Sequence, residues 1–473
     1  MIKSSHNFAQ GSIPGNILRL AVPMTAAQLI NILYNIVDRM YIGHIDGQEG
    51  MLALTGLGLC LPIISILMGF ANLCGMGGAP LFSIHRGKGQ QKEAAMVMGN
   101  SFALLLLFGL SLTVLGLLFR RPILYLFGAS DQTFPYADSY LSLYLLGTLF
   151  VMVSLGMNPF INAQGFSGIG MLTVGLGAAV NIILDPIFIF VLDMGVRGAA
   201  LATVLSQGCS AVWALSFLRS RRSDYRLEAY TLRLSLSRIK RIVGLGTSGF
   251  IMSLTNSLVQ SLCNATLQFW GGEVYVAVMT VINSVREVIS MPVTGITNGA
   301  QPVLGFNYGA GEPQRVRQGI RFTFVVTMVY SVVVWLLTLL IPGVFIRIFN
   351  DSPALLQDGV PAFRVYFATF AFMSFQFIGQ SIFVALGRSK NAVFFSLLRK
   401  AFIVAPLTLI LPHLWGLRVY GVFLAEPISN VLGSGLYPHH VLDRLPPIGP
   451  GIIQHGRPYG RPCQSVKEVS CVL

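Results

Sequence analysis

The chain has 473 residues, 54% of them hydrophobic and only 11% charged, with a formal net charge of +14 and a mean hydropathy of +0.69. Soluble domains carry about 25% charged residues, and a water-soluble fold of this size cannot hide so much apolar surface. Composition therefore excludes a soluble globular protein and points to a polytopic membrane protein of all-α class, in which each helix satisfies its own backbone polar groups.

The first sixteen residues, "MIKSSHNFAQGSIPGN", are polar. They lack the short apolar core and cleavage site of a signal peptide, so the first apolar segment is expected to act as its own signal. About 20 apolar residues cross a bilayer as a helix. Charge, Gly and Pro divide the chain into twelve predicted spans. The first six are 16–43, 51–84, 94–119, 136–160, 169–191 and 197–218. The second six are 240–270, 275–306, 317–342, 360–386, 391–412 and 419–437. With the N-terminus taken as cytoplasmic, 20 Lys and Arg fall on the inner side and 5 on the outer. That bias orients the chain by the positive-inside rule, and it assigns the basic charge to the anionic cytoplasmic leaflet rather than to a nucleic acid. Six Cys, at 60, 74, 209, 263, 463 and 471, show no ligand spacing, so neither a disulfide nor a metal site is expected.

A single fixed offset superimposes the second half of the chain on the first: Arg19 meets Arg241, Gly77 meets Gly299, Pro80 meets Pro302, and Gly87 and Gly89 meet Gly309 and Gly311. Ala163, Gly165 and Ser167 meet Ala385, Gly387 and Ser389. The matches gather where backbone geometry is demanding, which argues for a duplication. Six spans per repeat gives two parallel six-helix repeats about an axis along the membrane normal. The predicted organisation is an N-terminal lobe (1–218), a basic cytoplasmic linker (219–239) and a C-terminal lobe (240–437). The Pro-, Gly- and His-rich tail (438–473) is expected to be disordered or out of frame, leaving the last helix truncated.

In the first span, Gln28, Asn31, Asn35 and Asp38 fall within one narrow sector of a helical wheel. Lipid would not tolerate such a stripe, so it must face the bundle interior or water. Arg39 is expected to point away and snorkel to the interface. In the fifth span, "AAVNIILDPIFIF", Asn181 and Asp185 are one helical turn apart and share a face. Pro186 leaves the carbonyl of Ile182 without its helical donor. Oxygen ligands of this kind suit a proton or Na⁺. Thr203 and Gln207 have the same spacing in the sixth span.

At the repeat offset Asp38 corresponds to Gln260, and Asp185-Pro186 corresponds to Ala405-Pro406 with a small slip in register. Both acids thus belong to the first half, and cation coupling is expected to reside there. In the second half Arg286, Glu287, Arg364 and Glu426 are candidates for structural ion pairs or substrate contact. Phe160, Phe375 and Phe383 are candidates for lining an apolar cleft. The glycine-rich stretches at 74–89 and 297–311 follow no strand and hold no GxxxxGK[ST], so they are not phosphate loops. No HExxH or GxSxG motif is present, and no enzyme chemistry is indicated.

With "LAVPM", "YNIVDRMYIG", "NIILDPIFI", "GVRGAALATVLSQ" and the repeated GxG turns in hand, the chain resembles the multidrug and toxic-compound extrusion (MATE) family from about residue 15 to residue 435. The resemblance implies two six-helix lobes around a central cavity and export of organic cations or related amphiphiles in exchange for H⁺ or Na⁺. It implies a coupling network of Asp38, Asn181, Asp185, Thr203 and Tyr34, with Pro23 as the point where the first helix bends. Asn158 is a weaker match, and Asn35, Gln207, Arg286 and Glu287 are further candidates from the residue reading. The branch with an essential Glu in the seventh helix is not matched, since "SGFIMSLTNSLVQSLCNATLQFW" has no acid. No cofactor and no metal beyond Na⁺ are expected. The expected partners are the cell-membrane bilayer and small, cationic or amphiphilic organic compounds, with the protein a monomer. The alternatives are a lipid-linked precursor flippase or polysaccharide exporter of related fold, and a non-transporting membrane receptor or enzyme.

Overall fold

A computed structural model describes residues 8–43, 48–348, 353–414 and 416–442. All regular structure in them is helical. The first half contains α1 (Ile13–Gly43), α2 (Gln48–Gly87), α3 (Gln91–Leu126), α4 (Phe134–Leu146), α5 (Thr148–Ala163), α6 (Ser167–Pro186) and α7 (Gly195–Arg219). The second contains α8 (Leu236–Gly309), α9 (Pro313–Leu340), α10 (Pro342–Arg347), α11 (Pro353–Phe367), α12 (Phe370–Ala385), α13 (Ser389–Leu397), α14 (Ala405–Ile410) and α15 (Val419–Leu442).

The twelve predicted spans differ from these helices in instructive ways. The fourth is bent by 57° between α4 and α5, and the tenth by 47° between α11 and α12. The bends fall at Gly147 and at Thr369, which are equivalent positions in the two repeats. The seventh and eighth are two arms of α8, which turns at Gly272 where φ is +71. The last span is not cut short at residue 437, because α15 continues through Pro438 to Leu442. The rest of the predicted tail, 443–473, lies outside the described residues, as does the side chain of Arg39.

Proline shapes two spans locally. Pro186 lies at the end of α6, and the chain continues from Ile187 to Val191 as a wider, π-helical turn. In the second half a π-helical stretch, Leu398–Val404, runs into Ala405-Pro406. Proline contributes no N–H and crowds the carbonyl one turn back, which loosens the helical ladder at these points.

Each half has its own cores. Phe82, Met98, Leu105 and Phe160 are buried in one first-half cluster, and Ile42, Tyr140 and Leu145 in another. Ile282, Phe363, Phe367 and Phe423 form a core of the second half. The halves meet through small residues. Gly77 of α2 lies against Ile242 and Gly246 in the first arm of α8, while Gly299 in its second arm lies against Ala21 of α1. Backbones can approach this closely only where side chains are small. Phe8, Ile13, Ile17 and Leu20 are buried against Ala300, Val303 and Leu304, which anchors the start of the first half in the second. Large apolar side chains such as Leu118, Val212, Phe269 and Phe402 remain exposed on the helices, as a hydrocarbon surround requires.

Candidate functional site

Pro23 sits on α1 between its two close contacts with α8, Ala21 against Gly299 and Thr25 against Gly295. Its missing N–H deprives the carbonyl of Arg19 of a helical donor. Ser167 Oγ, at the start of α6, donates to that carbonyl at 3.0 Å. The proline thereby creates a bond between the two helices that carry the membrane acids.

Farther along α1, Asp38 is 9% exposed and Asp185 of α6 is fully buried. The two carboxyls are neighbours in one pocket. Asn181 Nδ2 donates to Asp185 Oδ1 at 3.2 Å. Asn181 Oδ1 and Asp185 Oδ2 are buried without a hydrogen-bond partner among the described residues, so the pocket offers unused oxygen acceptors. Tyr34 stands beside both acids. Thr203 of α7 is within reach of the Tyr140 hydroxyl, and Tyr140 in turn lies beside Asp38. Tyr144, one turn on, stacks with Tyr140 at a centroid distance of 6.1 Å. Thus α1, α4, α6 and α7 close around one polar pocket. Tyr140 and Tyr144 were not candidates from sequence, and their i, i+4 spacing on α4 was the available signal.

The polar stripe on α1 serves two places. Gln28 and Asn31 line a cavity of about 740 Å³ between the halves, together with Asn158, Asn162, Arg286 and Glu287. Asp38, Asp185, Asn181, Tyr34 and Thr203 are not part of its lining. Asn35 does not line the cavity; its side chain lies beside Tyr34 of the acid pocket, and its Nδ2 donates to the Asn31 carbonyl at 2.7 Å and to Asn31 Oδ1 at 3.0 Å. Gln207 Oε1 is buried without a partner among the described residues. Asn158 Nδ2 donates to the Gly170 carbonyl at 3.2 Å.

In the second half the structure corrects several readings. Arg364 is exposed and donates to the Leu339 carbonyl at 3.2 Å. Phe160 and Phe383 are core residues, and neither they nor Phe375 line the cavity; Phe377 does, with Met24, Met171, Met252, Met291 and Met373. Arg399 and Lys400, counted among the 20 inner-side Lys and Arg although they fall within the predicted span 391–412, are 4% and 5% exposed. The π-helical stretch turns both toward Glu426 and the cavity.

The family model described as MatE matches residues 23–187 and 250–410. The chain belongs to the MATE family. It is a transporter and a multi-pass membrane protein, not an enzyme. Curated relatives include the multidrug export protein MepA of Staphylococcus haemolyticus (strain JCSC1435), 23% identical over 427 residues, which span 90% of this chain and 93% of the relative. MepA of Staphylococcus aureus (strain N315) is 24% identical over 430 residues, 90% of this chain and 94% of the relative. The fold is also that of a solved multidrug resistance MATE family transporter of the MOP superfamily in an outward-facing conformation. That structure has a TM-score of 0.87 and 22% identity, covering 94% of this chain and 98% of the other. A MATE crystal structure in a bent conformation superposes with a TM-score of 0.88, at 22% identity and with the same coverage.

Proposed function

We propose that this MATE chain is a multidrug efflux antiporter of the cell membrane, N-terminus inside, that exports organic cations or amphiphilic compounds in exchange for H⁺ or Na⁺. One observation carries the coupling: Asp38 and Asp185, from helices far apart in sequence, bring two carboxyls together in a buried pocket. Two ionised carboxylates at such a distance repel strongly in a low dielectric, so a proton or a cation must be held between them. The surplus oxygens of Asn181 and Asp185 suit either ion. Loss of that ion would drive the carboxyls apart and strain α1, which has its weakest helical turn at Pro23. A shift of α1 changes the seam with α8 and the shape of the cavity, and so couples ion binding to alternating access.

The test is efflux of a dye cation from proteoliposomes under an imposed proton gradient and then under a Na⁺ gradient. Efflux driven by one gradient and lost in folded Asp38→Asn or Asp185→Asn supports the assignment. Efflux unchanged in both variants would sink it. A second reading, export of a lipid-linked precursor, gains from the buried cations Arg399 and Lys400 at the cavity; it predicts lipid-linked rather than soluble cargo. The protein is expected to act as a monomer, since each chain contains both halves of the cavity.

A further inference from the structure

One wall of the cavity carries a charge that ion coupling does not use. Arg399 Nη2 and Lys400 Nζ both donate to Glu426 Oε1, at 2.9 and 3.0 Å, and Lys400 Nζ also reaches Oε2 at 3.1 Å. Arg286 Nη1 is 4.0 Å from the same Oε1. Arg399 donates further to Asn430. Three cations therefore share one carboxylate. Glu287 also lines the cavity but is in no ion pair among the described residues. Arg399 is 4% exposed, and its Nε has no hydrogen-bond partner among the described residues. Excess positive charge held this way inside a membrane is costly unless something compensates it.

The duplication does not account for it. The first-half stretches equivalent to Arg286, Arg399, Lys400 and Glu426, at residues 64, 177–180 and 203–204, hold no Arg, Lys or Glu in either register. The cations are an addition to one half, just as the two membrane acids are an addition to the other. They open onto the same space as the methionines and Phe377, which form an adaptable apolar surface.

We infer that this wall is a binding site for the anionic group of an amphiphilic substrate: a carboxylate seated among Arg286, Arg399 and Lys400, with its apolar body against Met252, Met291 and Phe377. The inference rests on the cavity being the substrate site of an exporter. It names a substrate class that carries negative charge, alone or as a zwitterion. Arg286 is the approachable member, partly exposed to the cavity, while Arg399 and Lys400 hold the field behind it.

The test is fluorescence binding of N-dansylglycine and of its uncharged methyl ester to the full chain in phosphatidylcholine nanodiscs, with no gradient. Binding without a gradient keeps a failure here distinct from a failure of ion coupling, which is read as efflux. The acid is expected to bind about tenfold more tightly than the ester, as a charge-assisted bond would give. Arg286→Gln should erase that difference while leaving the ester unchanged, and Arg286→Lys should keep most of it. Independently of any variant, octanoate should displace the acid and octylammonium should not. Equal affinity for acid and ester, or displacement by octylammonium alone, would overturn the site. Discs containing phosphatidylglycerol distinguish the source of the anion. Unchanged affinity supports a soluble substrate, and loss in proportion to the anionic lipid would overturn it in favour of a lipid headgroup.

Discussion

Gly87 and Gly309 lie one repeat apart, and each is pressed against the backbone of the other's helix. A Cβ on Gly87 would overlap the Phe306 carbonyl, and one on Gly309 would overlap the Ile84 carbonyl. Ile84 and Phe306 are themselves equivalent positions in the two repeats, so the contact is its own mirror. This reciprocal crossing of α2 and the second arm of α8 holds the two halves together. Gly309→Leu should force the helices apart and destabilise the protein by about 1–3 kcal/mol, as overpacking does elsewhere. Gly244→Ala, where an added Cβ meets nothing within 4 Å, is the control and should be neutral or slightly stabilising. Thermal unfolding of the two purified variants checks this; equal melting temperatures would remove the crossing from the energetics.

The pocket of membrane acids gives a second expectation. The Tyr140 hydroxyl is fully enclosed beside Thr203 and Asp38. Tyr140→Phe keeps the ring and its stacking on Tyr144 but removes one hydrogen bond, worth about 1 kcal/mol. Gradient-driven efflux should fall about fivefold, with the ion-dependence curve displaced and the folded yield unchanged. An unaltered ion dependence would make Tyr140 a packing residue only.

Much of this architecture is written plainly in the chain. Runs of apolar residues set the spans, and the repeat offset located turns that the backbone bears out: Gly89 and Gly311 have φ of +72 and +76, and Gly165 and Gly387 have φ of +100 and +73. Asn181 and Asp185 sit on one face because their spacing is one helical turn. Less visible was that the α1 stripe divides between a cavity and a separate pocket, since a helical wheel gives direction but not depth. Tyr140 and Tyr144 were hidden because tyrosine is at home in an apolar run, with only its hydroxyl needing a partner. Arg399 and Lys400 were counted with the inner-side charges because they follow Arg388 and Lys390 near the start of the span, whereas they lie buried in its π-helical stretch.

Ser167 offers a third prediction. Its hydroxyl supplies the Arg19 carbonyl with the donor that Pro23 withholds. Ser167→Ala would leave that carbonyl unsatisfied, at a cost of about 1–3 kcal/mol. In the background of Pro23→Ala, which restores the N–H, the same change should cost much less. A thermal double-mutant cycle measures the coupling, and additive losses would show that the serine and the proline act separately.

The buried charge cluster gives the largest expected effect. Glu426 is the only carboxylate that Arg399 and Lys400 contact in an ion pair among the described residues. Glu426→Ala leaves two buried cations without it, and removing one partner of a buried pair costs about 3–5 kcal/mol. Lys400→Met in the same chain removes one stranded charge while keeping an apolar stem of similar length. The double variant should therefore be more stable than Glu426→Ala alone, although it lacks one more native contact. Unfolding of the three proteins in nanodiscs decides the matter. If the double variant is the weaker, the cluster is stabilised by its packing rather than by charge balance, and the positive wall of the cavity would have to be explained in that way too.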